Sequence, residues 1–208
     1  MKKNYAIAAV AALIAYGCAT QTADTPSKDV SASTAKLMQD SFKTRGIAKV
    51  ERLQQDETQK VCTEYANKPM LPEVAKRVES ANLASVKYPA DGVYMGDWRK
   101  GEKVAQTGRG FQWSDKADAA AGGNCYACHQ LSKAEISYGN IGPSLYRYGA
   151  LRGNSPEVVK YTWAKLYNSQ AYNACSNMPR FGHQQILTEN QLRDLVALLL
   201  DPASPVNK

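Results

Sequence analysis

The sequence predicts an all-α protein. Two observations lead there: strand signals are poor throughout the 208 residues, and several stretches carry apolar side chains at helical spacing, opening on a capping residue or a proline. A hydrophobic content of 44% with 22% charged residues supplies a real core and argues against disorder across the whole chain. The only long apolar run lies in the first seventeen residues and is too short to span a bilayer well, which excludes a polytopic membrane protein. The net charge of +7 comes from no block of like charge, and no basic tract is interleaved with aromatics, so nothing supports nucleic-acid binding.

Lys2 and Lys3 precede the apolar stretch from Tyr5 to Tyr16, and the small residues Gly17, Cys18 and Ala19 follow. This is the three-part layout of a bacterial secretory signal, so residues 1–19 are read as a leader and the mature protein as periplasmic. Two processing routes stay open. One is ordinary cleavage after Ala19; the other treats Ala15-Tyr16-Gly17-Cys18 as an imperfect lipoprotein box, which would anchor the protein to a membrane through a lipid on Cys18.

Residues 20–94 read as a helical extension behind a polar tether from Thr20 to Val30. Leu37, Met38 and Phe42 share a helix face, and Pro72 opens a stretch with Val74, Val78 and Ala81 at helical spacing. The Asp91-Gly92 turn leads into a second segment, residues 95–208. There Asp97 caps a helix to about Thr107, with Gly101 inside it and free to let another helix cross closely. Ser155-Pro156 is a cap followed by proline at the first helical position, and Val159, Trp163 and Leu166 line one face beyond it. Thr188 and Gln191 form a capping box; Leu192, Leu195, Val196 and Leu199 then repeat at i, i+3, i+4 and i+7 until Pro202.

Chemistry concentrates in Cys125-Tyr126-Ala127-Cys128-His129. Two thiols three positions apart can each add to a vinyl group of one haem, and the adjacent imidazole is then placed to bind the iron. Half a zinc site lacks further ligands here, and a thioredoxin-like pair lacks its βαβ setting. The expected cofactor is therefore one covalently bound haem c, with Cys125 and Cys128 as anchors and His129 as proximal ligand. A carbonyl of the Gly142-Pro143 turn can accept the other ring N–H of that histidine.

For the sixth ligand, the methionines beyond Met1 are Met38, Met70, Met95 and Met178, and only Met178 stands in a proline-stiffened loop between the last two helices. His183 is the rival, and an open site the third possibility. Met/His ligation raises the reduction potential and fills both axial positions, which suits electron transfer rather than substrate binding. Arg180 can serve a haem propionate or a docking partner. Cys62 and Cys175 are the leftover thiols; in an oxidising compartment they form a candidate disulfide that pins the extension to the Met178 loop.

Taken together, Cys125 to His129, the Gly142-Pro143 turn, Met178 and the terminal amphipathic helix resemble a class I cytochrome c domain from about Gly96 to Asp201. Three stretches, Gly139 to Leu145, Asn177 to His183 and Ile186 to Leu192, are similar to the SoxX family, the monohaem subunits of SoxAX cytochromes. The resemblance is strong over the C-terminal half and looser over the extension. It implies pairing with a SoxA-type cytochrome in a heterodimer that joins thiosulfate oxidatively to a cysteine of a SoxYZ-type carrier, an L-cysteine S-thiosulfotransferase. In that scheme this chain has no catalytic residue of its own, accepts electrons from its partner and passes them to a soluble cytochrome c. A stand-alone periplasmic electron carrier, or the haem module of another oxidoreductase, is the alternative reading.

Overall fold

The structure, a computed structural model, describes residues 28–208, and the leader, Cys18 and the first part of the tether lie outside the described residues. The chain divides into two units between Lys43 and Thr44. In the first, helix α1 (Lys28–Ser41) carries a Lys36–Asp40 ion pair at 2.9 Å, one turn apart. Leu37, Met38 and Phe42 are exposed along it.

The second unit, residues 44–208, contains α2 (Glu57–Glu64), α3 (Pro72–Ala84), α4 (Trp98–Gln106), α5 (Tyr148–Arg152), α6 (Pro156–Tyr167) and α7 (Glu189–Leu200). Among the described residues there is no strand, only an isolated bridge between Arg45 and Ala48, and no helix long and apolar enough to cross a membrane. The molecule is all-α.

Local chemistry explains where these helices begin. Asp97 caps α4 by accepting from the Arg99 N–H at 2.9 Å, and the Ser155 hydroxyl accepts from Val158 N–H ahead of α6. Thr188 and Gln191 satisfy each other's backbone donors in a full capping box that opens α7. Asp56 and Gln59 do the same for α2, a D-x-x-Q signal readable in the sequence but passed over there.

The core gathers around α7. Its Leu192, Leu195, Val196, Leu198, Leu199 and Leu200 are buried against Val104 and Ala105 of α4 and Trp163, Ala164 and Leu166 of α6. Burial of each such leucine contributes about 1.5–3 kcal/mol before the entropy of ordering it is subtracted. Helices α4 and α7 cross in near contact, and Gly101 is the reason: a Cβ there would stand 2.1 Å from the Asp194 carbonyl oxygen and 3.0 Å from Leu198 Cβ. Two further bonds fix the crossing, from Gly96 N–H to Arg193 O at 3.0 Å and from Asp97 N–H to the Asp194 carboxylate at 2.8 Å. Gly101→Ala is expected to force the helices apart and cost about 2–3 kcal/mol, read as a lower urea midpoint with little change in slope.

The extension after Thr44 is not a separate body. Trp163 Nε1–H of α6 donates to the Lys87 carbonyl at 2.9 Å, and the Asn168 amide donates to the Asn82 side chain at 2.9 Å and to Ser85 Oγ at 3.0 Å. These bonds tie residues 44–94 to the residues that follow within one compact unit. They also shift the buried face of α3: it runs Val74, Val78, Asn82, whereas Ala81 is exposed. A polar residue takes the core position because its amide is fully engaged, donating to the Val78 carbonyl and Thr58 Oγ1 while accepting from Asn168.

Candidate functional site

The segment from Cys125 to His129 folds as one tight turn. Cys125 to Ala127 form a 3-10 turn entered through Asn124 in the left-handed region (φ 48°), and His129 N–H donates back to Cys125 O at 2.8 Å. The entry is tied to the end of α4 by Gly123 N–H to Val104 O at 2.8 Å and Asn124 N–H to Thr107 O at 2.9 Å. Tyr126 points into the core, where its hydroxyl donates to Glu102 of α4 at 2.9 Å and burial pushes its phenol up to about 12. Burial likewise pushes the Cys125 thiol up to about 12, with the neighbouring Cys128 and Glu102 adding to the effect.

Residues 139–145 run alongside this turn. Three backbone bonds join the two segments: Gly139 N–H to Tyr126 O, Gly142 N–H to Cys128 O and Leu145 N–H to Gln130 O, at 2.8, 2.9 and 2.8 Å. That register brings the Pro143 carbonyl to 2.7 Å from His129 Nδ1. A carbonyl only accepts, so Nδ1 carries the proton and Nε2 keeps the lone pair that a metal needs. Gly142 makes room for the ring, since a Cβ there would lie 2.1 Å from His129 Cε1 and 2.5 Å from Nδ1. Gly142→Ala is expected to push the imidazole off this carbonyl; the reduction potential of the purified protein, tracking the loss of that hydrogen bond, is the measurement that checks it.

Met178 packs, with Cys125 and Leu145, against the same hydrophobic core. Its backbone is held at both ends: the carbonyl accepts from Ser169 Oγ at 2.5 Å and the N–H donates to Ser176 Oγ at 3.2 Å. His183, the rival ligand, has its Nδ1 at 3.2 Å from Ser85 Oγ, turned toward the extension. Burial lowers its pKa below the ordinary 6.5, nearby Arg180 lowers it further, and Asp56 opposes both. Arg180 is neither a free surface cation nor an unpaired one; it is 7% exposed and ion-paired to Asp56 at 2.5 Å. Burial raises the Asp56 carboxyl, but the bond from Gln59 N–H and the charges of Arg180 and His183 outweigh it and leave the pKa below the ordinary 3.8. This pair escaped the sequence reading, because its members stand 124 residues apart.

Cys62 and Cys175 form a disulfide, with Cα atoms 5.6 Å apart, whereas Cys125 and Cys128 are free thiols. Two neighbouring thiols kept out of disulfides, an imidazole with its tautomer set by a carbonyl, and a thioether on the same core form the donor set of a covalent haem. The residues present fit that group. Cys125 and Cys128 would anchor it, and His129 Nε2 and the Met178 sulfur would hold its iron. The haem would supply a one-electron couple; the chain's part is to orient the imidazole and hold the thioether.

Fold and donor set together define a class I cytochrome c domain carrying covalently bound haem c for electron transfer. The sequence model of the family described as Cytochrome c matches residues 114–201, so a cytochrome c domain is present there. A protein of Aquifex aeolicus (strain VF5), named an uncharacterized lipoprotein, is 41% identical over 156 residues, spanning 74% of this chain and 73% of that protein.

Proposed function

We propose that this chain is the SoxX-type electron-transfer subunit of a periplasmic SoxAX cytochrome. The observation that carries the reading is a prepared pair of candidate iron ligands: His129 fixed in one tautomer by Pro143, and Met178 held at both backbone ends. A centre filled from both sides exchanges electrons and leaves sulfur chemistry to a partner. The three stretches similar to SoxX, from Gly139, Asn177 and Ile186 onward, point to that partner as a SoxA-type cytochrome.

The reaction of the pair joins thiosulfate to the cysteine thiol of a SoxYZ-type carrier. One S–S bond forms, one proton leaves the thiol, and two electrons depart. This chain receives the electrons from its partner and delivers them to a soluble cytochrome c. A leader ending near Cys18 puts the subunit outside the cytoplasm, and the name of the Aquifex aeolicus relative favours a lipid on Cys18 over cleavage after Ala19. Mass spectrometry of the mature N-terminus separates the two routes.

Affinity purification from the native host tests the assignment. The expected result is a second haem protein in stoichiometric amount, with haem reduction by thiosulfate and carrier in the pair and none in this chain alone. Recovery as a monomer that any small donor reduces equally well would favour the stand-alone carrier.

A further inference from the structure

The loop that presents Met178 is poorly held by itself. Residues 172–179 contain no helix, and their internal bonds are those from Ser176 N–H to Asn173 O and from Met178 N–H to Ser176 Oγ. What fixes the loop comes from the extension, on both sides of the methionine. Three residues before it, Cys175 is bonded to Cys62 of α2, and the Ala174 N–H donates to Glu79 of α3 at 3.2 Å. Two residues after it, the buried Arg180 meets Asp56. Farther upstream, Asn168 is gripped by Asn82 and Ser85, and the next residue, Ser169, is the one that bonds the Met178 carbonyl.

We infer that the extension is the positioning element for the distal ligand: Asp56 and the Cys62–Cys175 bridge clamp the Met178 loop, and the strength with which the thioether stays on the iron is set by them. The inference rests on Met178 being that ligand. Asp56 is suited to the task because it is itself immobile, with its carboxylate accepting from Gln59 N–H and its own N–H donating to the Gln59 side chain. A buried guanidinium deprived of its carboxylate must reach for water, and Arg180 would carry the backbone beside Met178 with it.

The test uses full-length ferric holoprotein and added imidazole as a competing ligand. The rate of thioether displacement is followed by loss of the sulfur-to-iron charge-transfer band at the red end of the visible spectrum, and the reduction potential is measured alongside. Asp56→Asn keeps an equally good helix cap and removes only the charge, so α2 should survive. Displacement is expected to quicken about tenfold or more, with a lower potential, as befits loss of one partner of a buried pair. Asp56→Glu should restore slow displacement.

The double variant Cys62→Ser/Cys175→Ser, in which the ion pair remains, should show the same direction of change. Asp91→Asn, which breaks the exposed pair with Arg193 on α7, should change neither readout. Displacement rates within twofold of the parent in both clamp variants would overturn the inference while leaving the ligand assignment intact. Absence of the charge-transfer band from the parent protein would overturn the Met178 assignment and this inference with it.

Discussion

Serine at both Cys125 and Cys128 is expected to yield a chain without covalent haem, its pyridine haemochrome signal at background after denaturing electrophoresis. The turn itself should not object. Serine is smaller than cysteine, the two thiols bond to no other cysteine, and the backbone bonds from His129 N–H and Cys128 N–H to Cys125 O do not involve the sulfurs. What disappears is the attachment chemistry alone, because a hydroxyl does not add to a vinyl group under conditions where a thiol does. Single replacements should retain a weaker signal through the remaining thioether. A double variant that still carries haem through denaturing electrophoresis would refute the site.

The second large effect is expected on stability. Removing the Cys62–Cys175 bridge by double serine substitution frees a loop spanning 113 residues of sequence in the unfolded chain. The chain-entropy model puts that loss at about 4–5 kcal/mol. For a unit of this size it corresponds to a fall in Tm of roughly 10–15 °C. Reversible urea unfolding of the haem-loaded protein, with the variant measured beside the parent, gives the free energy directly. A difference below about 1 kcal/mol would mean that the bonds around Asn82, Lys87 and Arg180 already hold the extension in place without the bridge.

The helices read correctly from the sequence are those whose start is written locally. Asp97 before α4, Ser155-Pro156 before α6 and Thr188 with Gln191 before α7 all act within one turn of themselves, and the structure uses each as a cap. Cys125 to His129 stood out as a candidate haem-attachment segment for the same reason, being five consecutive residues whose chemistry needs no other part of the chain to be recognised. The Gly142-Pro143 turn was legible as a source of the accepting carbonyl, though only the register of residues 139–145 selects the Pro143 oxygen.

The rest depended on distant partners. Asn82 looks like a solvent-facing residue until Asn168, 86 positions away, is seen to engage its amide; hence the face of α3 was assigned to Ala81. For Arg180 the sequence suggested a haem propionate or a docking partner, because nothing near it announces Asp56. Leu37, Met38 and Phe42 repeat as a core face would, yet are exposed. Periodicity tells which side chains lie together on a helix, and what covers them is decided elsewhere.

The order of the cysteines along the chain carries a consequence for maturation. The native bridge leaps from position 62 to position 175 across two thiols that must stay reduced if each is to meet a haem vinyl carbon. A polypeptide emerging N-terminus first into an oxidising space would offer Cys62 two wrong suitors before the right one arrives. Thiolate exchange through mixed disulfides can correct such mistakes, but only while Cys125 and Cys128 remain reachable. Early capture of a porphyrin by Cys125 and Cys128 would remove both competitors at a stroke, so where these four sulfurs fall bears on the sequence of assembly events and not only on their outcome.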